Sequence, residues 1–295
     1  MVALLARALE QSRARGTIVY TAENNNHAAE TLSESVRTAM EAPPGRPVQY
    51  LNTVIGKMSR VVTDPEEVAS LNLQPIAPGL NRAFLVEAFN HILVSKIRIE
   101  NVTPAIAVFE EKDDLLPFEE AKLFGHNAIH ALLGFMGIQR GLKDMAALRR
   151  EQDLMRIARA AFLEESGAAL CAKYAALDDP LFTADGYRAY ADDLLTRITN
   201  PYLADSTERA ARDPRRKLGH ADRIFGTMRL ALSQGIEPAR IAHGAAAGLC
   251  YLLAKPDDHG VPPELRHAPQ PPFEAAYLTR LLPWLWNRPL TKDDR

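Results

Sequence analysis

Lys122-Leu-Phe-Gly-His126-Asn127-Ala-Ile-His130-Ala-Leu-Leu-Gly-Phe-Met-Gly137 sets a lysine, an asparagine and two histidines into a segment that otherwise reads as an apolar helix. Asn127 follows Lys122 by five residues and His130 by eight. At about 100° per residue the three side chains fall within roughly 140° of arc, one broad helix face. Burying a lysine beside an amide is costly unless the groups are used. The stretch therefore predicts a helix that carries a candidate active site.

Downstream the chain reads as almost wholly helical. Periodicity near 3.6 residues predicts helices at about 118–137, 142–150, 152–176, 184–199, 218–235 and 237–254. Gly244-Ala-Ala-Ala-Gly248 reads as small-residue helix packing, because no strand precedes it to make a phosphate loop. After Lys255 the chain is rich in proline and ends in an aromatic segment, Trp284-Leu-Trp286, expected to lie across the helices as a cover.

Upstream the texture differs. A helical pattern at residues 3–14 stops at Gly16, and Thr17-Ile-Val-Tyr-Thr-Ala22 reads as a strand buried on both faces. Helix, glycine and apolar strand form the rhythm of a parallel α/β sheet. Ligands bind at the carboxyl ends of such strands, which singles out Asn24 in the polar loop Glu23–His27. Asn25 or Asn26 is expected to cap a helix at about 28–41. Val48–Ile55, Ser59–Val62 and Ile92–Val94 read as strands, and the acidic run Glu110–Asp114 as a solvated turn. The expected fold is mostly α: a partial α/β part over 1–105, then an all-α multihelical domain over 106–295.

Composition narrows the function classes. The 295 residues are 47% hydrophobic and 24% charged with a formal net charge of -2, so no basic field is available for nucleic acid. No apolar run of eighteen residues occurs, and the N-terminal segment lacks the layout of a signal peptide. Cys171 and Cys250 cannot form a disulfide framework and read as buried free thiols, which fits a cytoplasmic location.

The chemistry follows from the residue types. A lysine can act as a general base when burial or nearby cations weaken its hold on the proton. Two amides, Asn24 and Asn127, can converge on a developing alkoxide as an oxyanion hole does, and His130 can hold a second hydroxyl. Base, oxyanion donors and hydroxyl binder together suit oxidation of a secondary alcohol. A nicotinamide would then sit near the strand end that bears Asn24. The residues leave other readings open: Lys122 can snorkel to solvent, and Asn127 and His130 can be satisfied core polars. The His126–His130 spacing suits a helical zinc site. Asn127 stands where a metallohydrolase glutamate would, and no third ligand is evident, so no metal is expected.

Six segments, in order, resemble the polyol-specific long-chain dehydrogenases, the mannitol dehydrogenase family, and most of all its mannitol-1-phosphate 5-dehydrogenase branch. They are Thr21-Ala-Glu-Asn24, Asn52-Thr-Val, Glu87-Ala-Phe89, Lys122-Leu-Phe-x-x-Asn127-x-x-His130-Ala, Asn200-Pro-Tyr-Leu-Ala-Asp205 and Arg212-Asp-Pro-Arg-Arg-Lys217-Leu-x-x-x-Asp222-Arg223. The resemblance implies Lys122 as the base, Asn24 and Asn127 as oxyanion donors, His130 as a substrate binder, and NAD or NADP without a catalytic metal. Arg215, Arg216, Lys217 and Arg223 could receive a sugar phosphate, or form a basic solvated helix start.

Two features depart from the family. Gly56 and Lys57 stand where the family has Asp-Arg after Asn-Thr-Val, and no Gly-x-Gly-x-x-Gly loop occurs anywhere. The expectation is a chain that enters the family pattern late. Its dinucleotide loop would then be supplied by a separate chain, lie before the start, or have been lost. The leading reading is the catalytic, substrate-binding part of a nicotinamide-dependent polyol or polyol-phosphate dehydrogenase. The runner-up is a non-catalytic module that binds a sugar phosphate or a partner chain.

Overall fold

The strands pair into a four-stranded sheet and a separate two-stranded one in the computed structural model, which describes residues 1–23, 27–104, 106–268 and 270–294. In chain order come α1 (Val2–Glu10), β1 (Thr17–Thr21), α2 (Ala28–Ala39) and β2 (Val48–Ile55). Next are β3 (Ser59–Val62), α3 (Pro65–Ser70), β4 (Ala83–Val86), β5 (Ile92–Ser95), β6 (Phe109–Lys112) and α4 (Leu116–Glu120). Helices follow: α5 (Ala128–Gln139), α6 (Gln152–Ala160), α7 (Ala168–Lys173), α8 (Ala184–Ile198), α9 (Thr207–Ala211), α10 (Pro214–Lys217), α11 (Arg223–Ser233), α12 (Ala239–Ala254) and α13 (Ala275–Trp286). Two compact units result: Met1–Ser59 with Val86–Glu120, and Arg60–Leu85 with Ala121–Arg295.

In the first unit the sheet order is β1-β2-β5-β6. It is mixed rather than parallel: β1 and β5 run parallel to β2 and β6 respectively, whereas β2 and β5 are antiparallel. Only Thr21 of β1 is fully buried, so this strand is a half-exposed edge and not one covered on both faces. Its helical cover is a small cluster of Ala6, Leu9 and Val36, with Leu5 and Leu32 packed against it. Asn52 ties the strand end to the next helix. Its Oδ1 accepts from the Ala29 amide at 2.9 Å, and its Nδ2 donates to Glu30 at 3.0 Å. The helix start at His27 carries no side-chain cap, and Asn25 and Asn26 lie outside the described residues.

The acidic run expected as a turn begins as strand β6, paired with β5 from Ile92↔Phe109 to Ser95↔Lys112. Sequence charge misleads here because an edge strand tolerates charged side chains. Their partners are local: Glu110 contacts His91 and Lys112, and Asp113 pairs with Lys96 at 2.9 Å.

The helical unit is built around α5, nine of whose twelve residues are buried. A helix apolar on every side belongs at the centre of a packed body. The small-residue stretch of α12 lies against it, with Gly244 over Leu132 and Gly248 over Phe135. Glu165, fully buried, accepts from the Arg240 and Ile241 amides at 2.7 and 2.8 Å, placing a carboxylate at the positive end of α12. The expected helix at 142–150 is a 3-10 turn over Met145–Arg150. The extended chain at Asp144 bridges to Ser206, and Met145 N–H donates to the Asp205 carbonyl, which holds the segment out of α geometry. Trp284 and Trp286 belong to α13. Cys250 is buried, whereas Cys171 is only half-buried. No helix among the described residues is long and apolar enough to cross a membrane.

Candidate functional site

The helix-wheel estimate assumed α geometry, but Ala121–Asn127 is a π-helical turn. Its bonds run between residues five apart, so Lys122 and Asn127 stand one hydrogen-bond span apart and closer in angle than α geometry would place them. A second π segment, Ala161–Gly167, packs on the first. The widened turn leaves the Phe124 carbonyl to be satisfied from outside its helix. Ser166 Oγ donates to it at 2.8 Å, and Thr227 Oγ1 lies at 3.2 Å, with the Arg223 carbonyl as its other partner. Glycines allow the close approach. A Cβ on Gly125 would lie 2.7 Å from the Tyr187 hydroxyl, and one on Gly167 would lie 2.6 Å from the Tyr187 ring.

Lys122, Asn127 and His130 are half-buried, and His126 between them is buried. Burial holds the His126 imidazole well below its ordinary titration range. The positive charges of His130, Lys122, Arg197 and Arg223 push it further the same way. His126 is therefore neutral at physiological pH. The His126 and His130 rings stand edge to face at 6.5 Å. Among the described residues no third ligand joins them in a group that could hold a metal ion.

His130 is oriented by a carboxylate distant in sequence. Its Nε2 lies 2.8 Å from Asp205 Oδ2, and Arg209 Nε donates to Asp205 Oδ1 at 2.5 Å. The Asp205 side chain keeps 5% of its exposure. Burial pushes its titration up, but the bonds from His130 and Arg209 outweigh this and bring it down to about 2. The segment Asn200–Asp205 is built to deliver this group. Asn200 Oδ1 accepts from the Tyr202 amide, Pro201 opens a 3-10 turn, and Ala204 takes a left-handed φ of 45° before the chain turns inward. Ser206 then caps α9, which carries Arg209.

The basic cluster divides. Lys217 is buried and donates to the Arg212 carbonyl. Burial, then the charges of Arg223 and Arg216, lower it to about 8 despite Asp213. Arg223 is buried at the start of α11 with Nη1 2.6 Å from Asp222, and its charge is felt at His126. Arg215 and Arg216 are exposed: Arg215 lies over the Trp284 ring at 4.5 Å, and Arg216 pairs with Asp213 at 3.0 Å. Asn24 lies outside the described residues. Sequence reasoning gave no role to Asp205, Arg209 or Arg197. Asp205 did close a recognised motif, a signal that a charged group there had a partner.

The helical body built around α5 is the part of the chain that matches a known domain. Residues 114–276 match the mannitol dehydrogenase C-terminal domain, and the chain belongs to that family. Among solved structures it is similar to Pseudomonas fluorescens mannitol 2-dehydrogenase in ternary complex with NAD and D-mannitol. That likeness has 20% identity and a TM-score of 0.58, over 80% of this chain and 47% of the other. It is also similar to a substrate-free D-sorbitol dehydrogenase, with 18% identity and a TM-score of 0.63, over 85% of this chain and 51% of the other. At such identities these likenesses show the fold. The chain spans about half the length of the structures it matches.

Proposed function

We propose that this chain is the catalytic and substrate-binding part of a nicotinamide-dependent dehydrogenase acting on a secondary hydroxyl of a polyol or polyol phosphate, in the manner of mannitol-1-phosphate 5-dehydrogenase. The helical unit binds substrate, and the sheet-bearing unit is the residual part of a cofactor domain. Lys122, as the free amine, accepts the hydroxyl proton. Asn127 and Asn24 donate to the oxygen as charge develops on it. His130, fixed by Asp205, binds a neighbouring hydroxyl. Lys217 and Arg223 meet the anionic end of a phosphorylated substrate, with Arg215 and Arg216 at its outer rim. The cellular site is cytoplasmic.

The observation that best supports this reading is the His130–Asp205–Arg209 arrangement on the helix that carries Lys122. The Asp205 carboxylate, 75 residues away in sequence, fixes one ring nitrogen of His130 and so orients the imidazole. The cofactor is a different matter. The sequence between β1 and α2 contains no glycine, the residue type that a pyrophosphate-cradling turn requires. Bound NAD or NADP would supply the hydride acceptor. The residues here account for the proton and the hydroxyls, and the pyrophosphate cradle would come from a further segment or a separate chain.

The test is to mix the chain with NAD or NADP and mannitol or mannitol 1-phosphate. The mixture is run alone and with a separately produced dinucleotide-binding domain of a polyol dehydrogenase, and formation of reduced cofactor is followed. Turnover in the complemented mixture supports the proposal, and Lys122→Ala should then lower it by roughly 10²–10⁴-fold. Absence of turnover in every pairing refutes the dehydrogenase reading. Binding of mannitol 1-phosphate without turnover would instead favour a sugar-phosphate-binding module.

A further inference from the structure

Helix α10, which ends at Lys217, is four residues long, too short to hold its own shape. The turn after it, 218–222, leads directly to Arg223. The two buried cations of the cluster thus flank a turn that must be fixed by tertiary contacts. Much of that support comes from residues 284–294. Trp286 Nε1 donates to the Leu218 carbonyl at 2.9 Å. The Trp286 ring meets His220 edge on at 5.0 Å and Phe225 at 5.1 Å.

Asp294 holds the same turn from further along the chain. Its side chain keeps 1% of its exposure, and its Oδ1 lies 3.0 Å from His220 Nε2. Arg288 lies 3.0 Å from Oδ2, and Arg229 Nε stands 3.9 Å from Oδ1. The Thr291 amide and hydroxyl donate to Oδ2 at 2.8 and 2.7 Å. A carboxylate this enclosed is stable only when fully partnered. Here the partners are two residues of its own segment, Arg288 and Thr291, and two of the helical body, His220 and Arg229.

We infer that Asp294 is a positioning residue for substrate anion binding: residues 287–294 clasp His220 and so fix the turn that sets Lys217 and Arg223. This rests on the reading in which those two cations meet a substrate phosphate. Asp294 touches no substrate and acts through His220.

The test uses the whole chain and inorganic phosphate as probe. Trp284 and Trp286 are the two tryptophans of the sequence, so their emission reports on the clasp. Asp294→Asn removes the charge and keeps the shape. It should leave far-ultraviolet circular dichroism unchanged, raise acrylamide quenching of tryptophan about twofold, and weaken phosphate binding roughly tenfold, as for loss of one well-placed ionic contact. Asp185→Asn, an equal change of charge at an exposed residue of α8, should do neither. If Asp294→Asn does not fold, Trp286→Phe removes the bond to Leu218 and reduces the ring contacts with His220 and Phe225 at the same turn, and should weaken phosphate binding in the same direction. A folded Asp294→Asn or Trp286→Phe protein that binds phosphate as the parent does overturns the proposal. A parent chain that fails to bind phosphate overturns the anion-site reading beneath it. The quenching comparison then judges the clasp by itself, and unchanged quenching in Asp294→Asn refutes it.

Discussion

Replacing Asp205 with asparagine asks whether the charge of this carboxylate, and not its shape, holds His130 and Arg209. The buried acid titrates at about 2 where its ordinary value is 3.8. Linkage converts that difference into about 2.4 kcal/mol at 1.36 kcal/mol per pKa unit, an order-of-magnitude figure. A group whose folded pKa is depressed contributes stability above its unfolded pKa and loses it as pH falls through the folded value. The contribution is therefore complete above about pH 5, about half lost at pH 3, and mostly gone near pH 2. Asp205→Asn should be less stable than the parent by about 2 kcal/mol at pH 7, with the gap closing on acidification. Urea unfolding followed by tryptophan emission measures this in the helical unit, which contains both Trp284 and Trp286. A gap of equal size at pH 7 and pH 3, or no gap at all, refutes the charge argument.

Glu165→Gln puts an amide where two backbone N–H groups of α12 now meet a carboxylate. It should lower stability by about 1–3 kcal/mol in the same urea assay. Gly167→Ala forces a Cβ within 2.6 Å of the Tyr187 ring, and overpacking of this kind costs about 1–3 kcal/mol. Lys217 titrates at about 8, so anion affinity should fall as pH rises through that value. Sulfate, whose charge is constant in this range, is the probe. An affinity flat from about pH 7 to 9 would show that Lys217 does not meet the anion.

The central helix, most of the helical body and the strands at 17–22, 48–55, 59–62 and 92–94 were legible because their signals are local: period 3.6 in one half and β-branched runs in the other. What stayed hidden depends on distant contacts. The π turn at Ala121–Asn127 exists in company with hydroxyls from Ser166 and Thr227, 42 and 103 residues from Phe124. No local pattern announces it. Asp205 was visible as the end of a motif, yet its pairing with His130 spans 75 residues. The strand at Phe109–Lys112 was misread because its charge resembles that of a loop, and its place at the sheet edge is a property of the assembled sheet. The basic cluster looked like one patch in sequence. A buried Lys217 and an exposed Arg216 are neighbours in the chain but face different surroundings.

The two π segments bear on how the site is held. A π turn gives poorer helix geometry than an α turn and persists where surrounding contacts favour it. Here those contacts are specific: a carbonyl taken by Ser166 and Thr227, and glycines that admit Tyr187 and Phe162 at distances a Cβ would forbid. The widened turn carries Lys122, His126 and Asn127, and His130 follows on the α-helical continuation. The register it imposes brings Lys122 and Asn127 toward one face. The neighbouring His126 is neutral, and Arg197 and Arg223 add positive field there, an environment suited to developing negative charge on a bound oxygen. Relaxing the π turn should therefore impair Lys122 and Asn127 together. Ser166→Ala, which removes the shorter of the two hydroxyl bonds to the Phe124 carbonyl, should lower turnover of the complemented enzyme more than it lowers stability. Loss of stability alone would place the π turn with packing and not with chemistry.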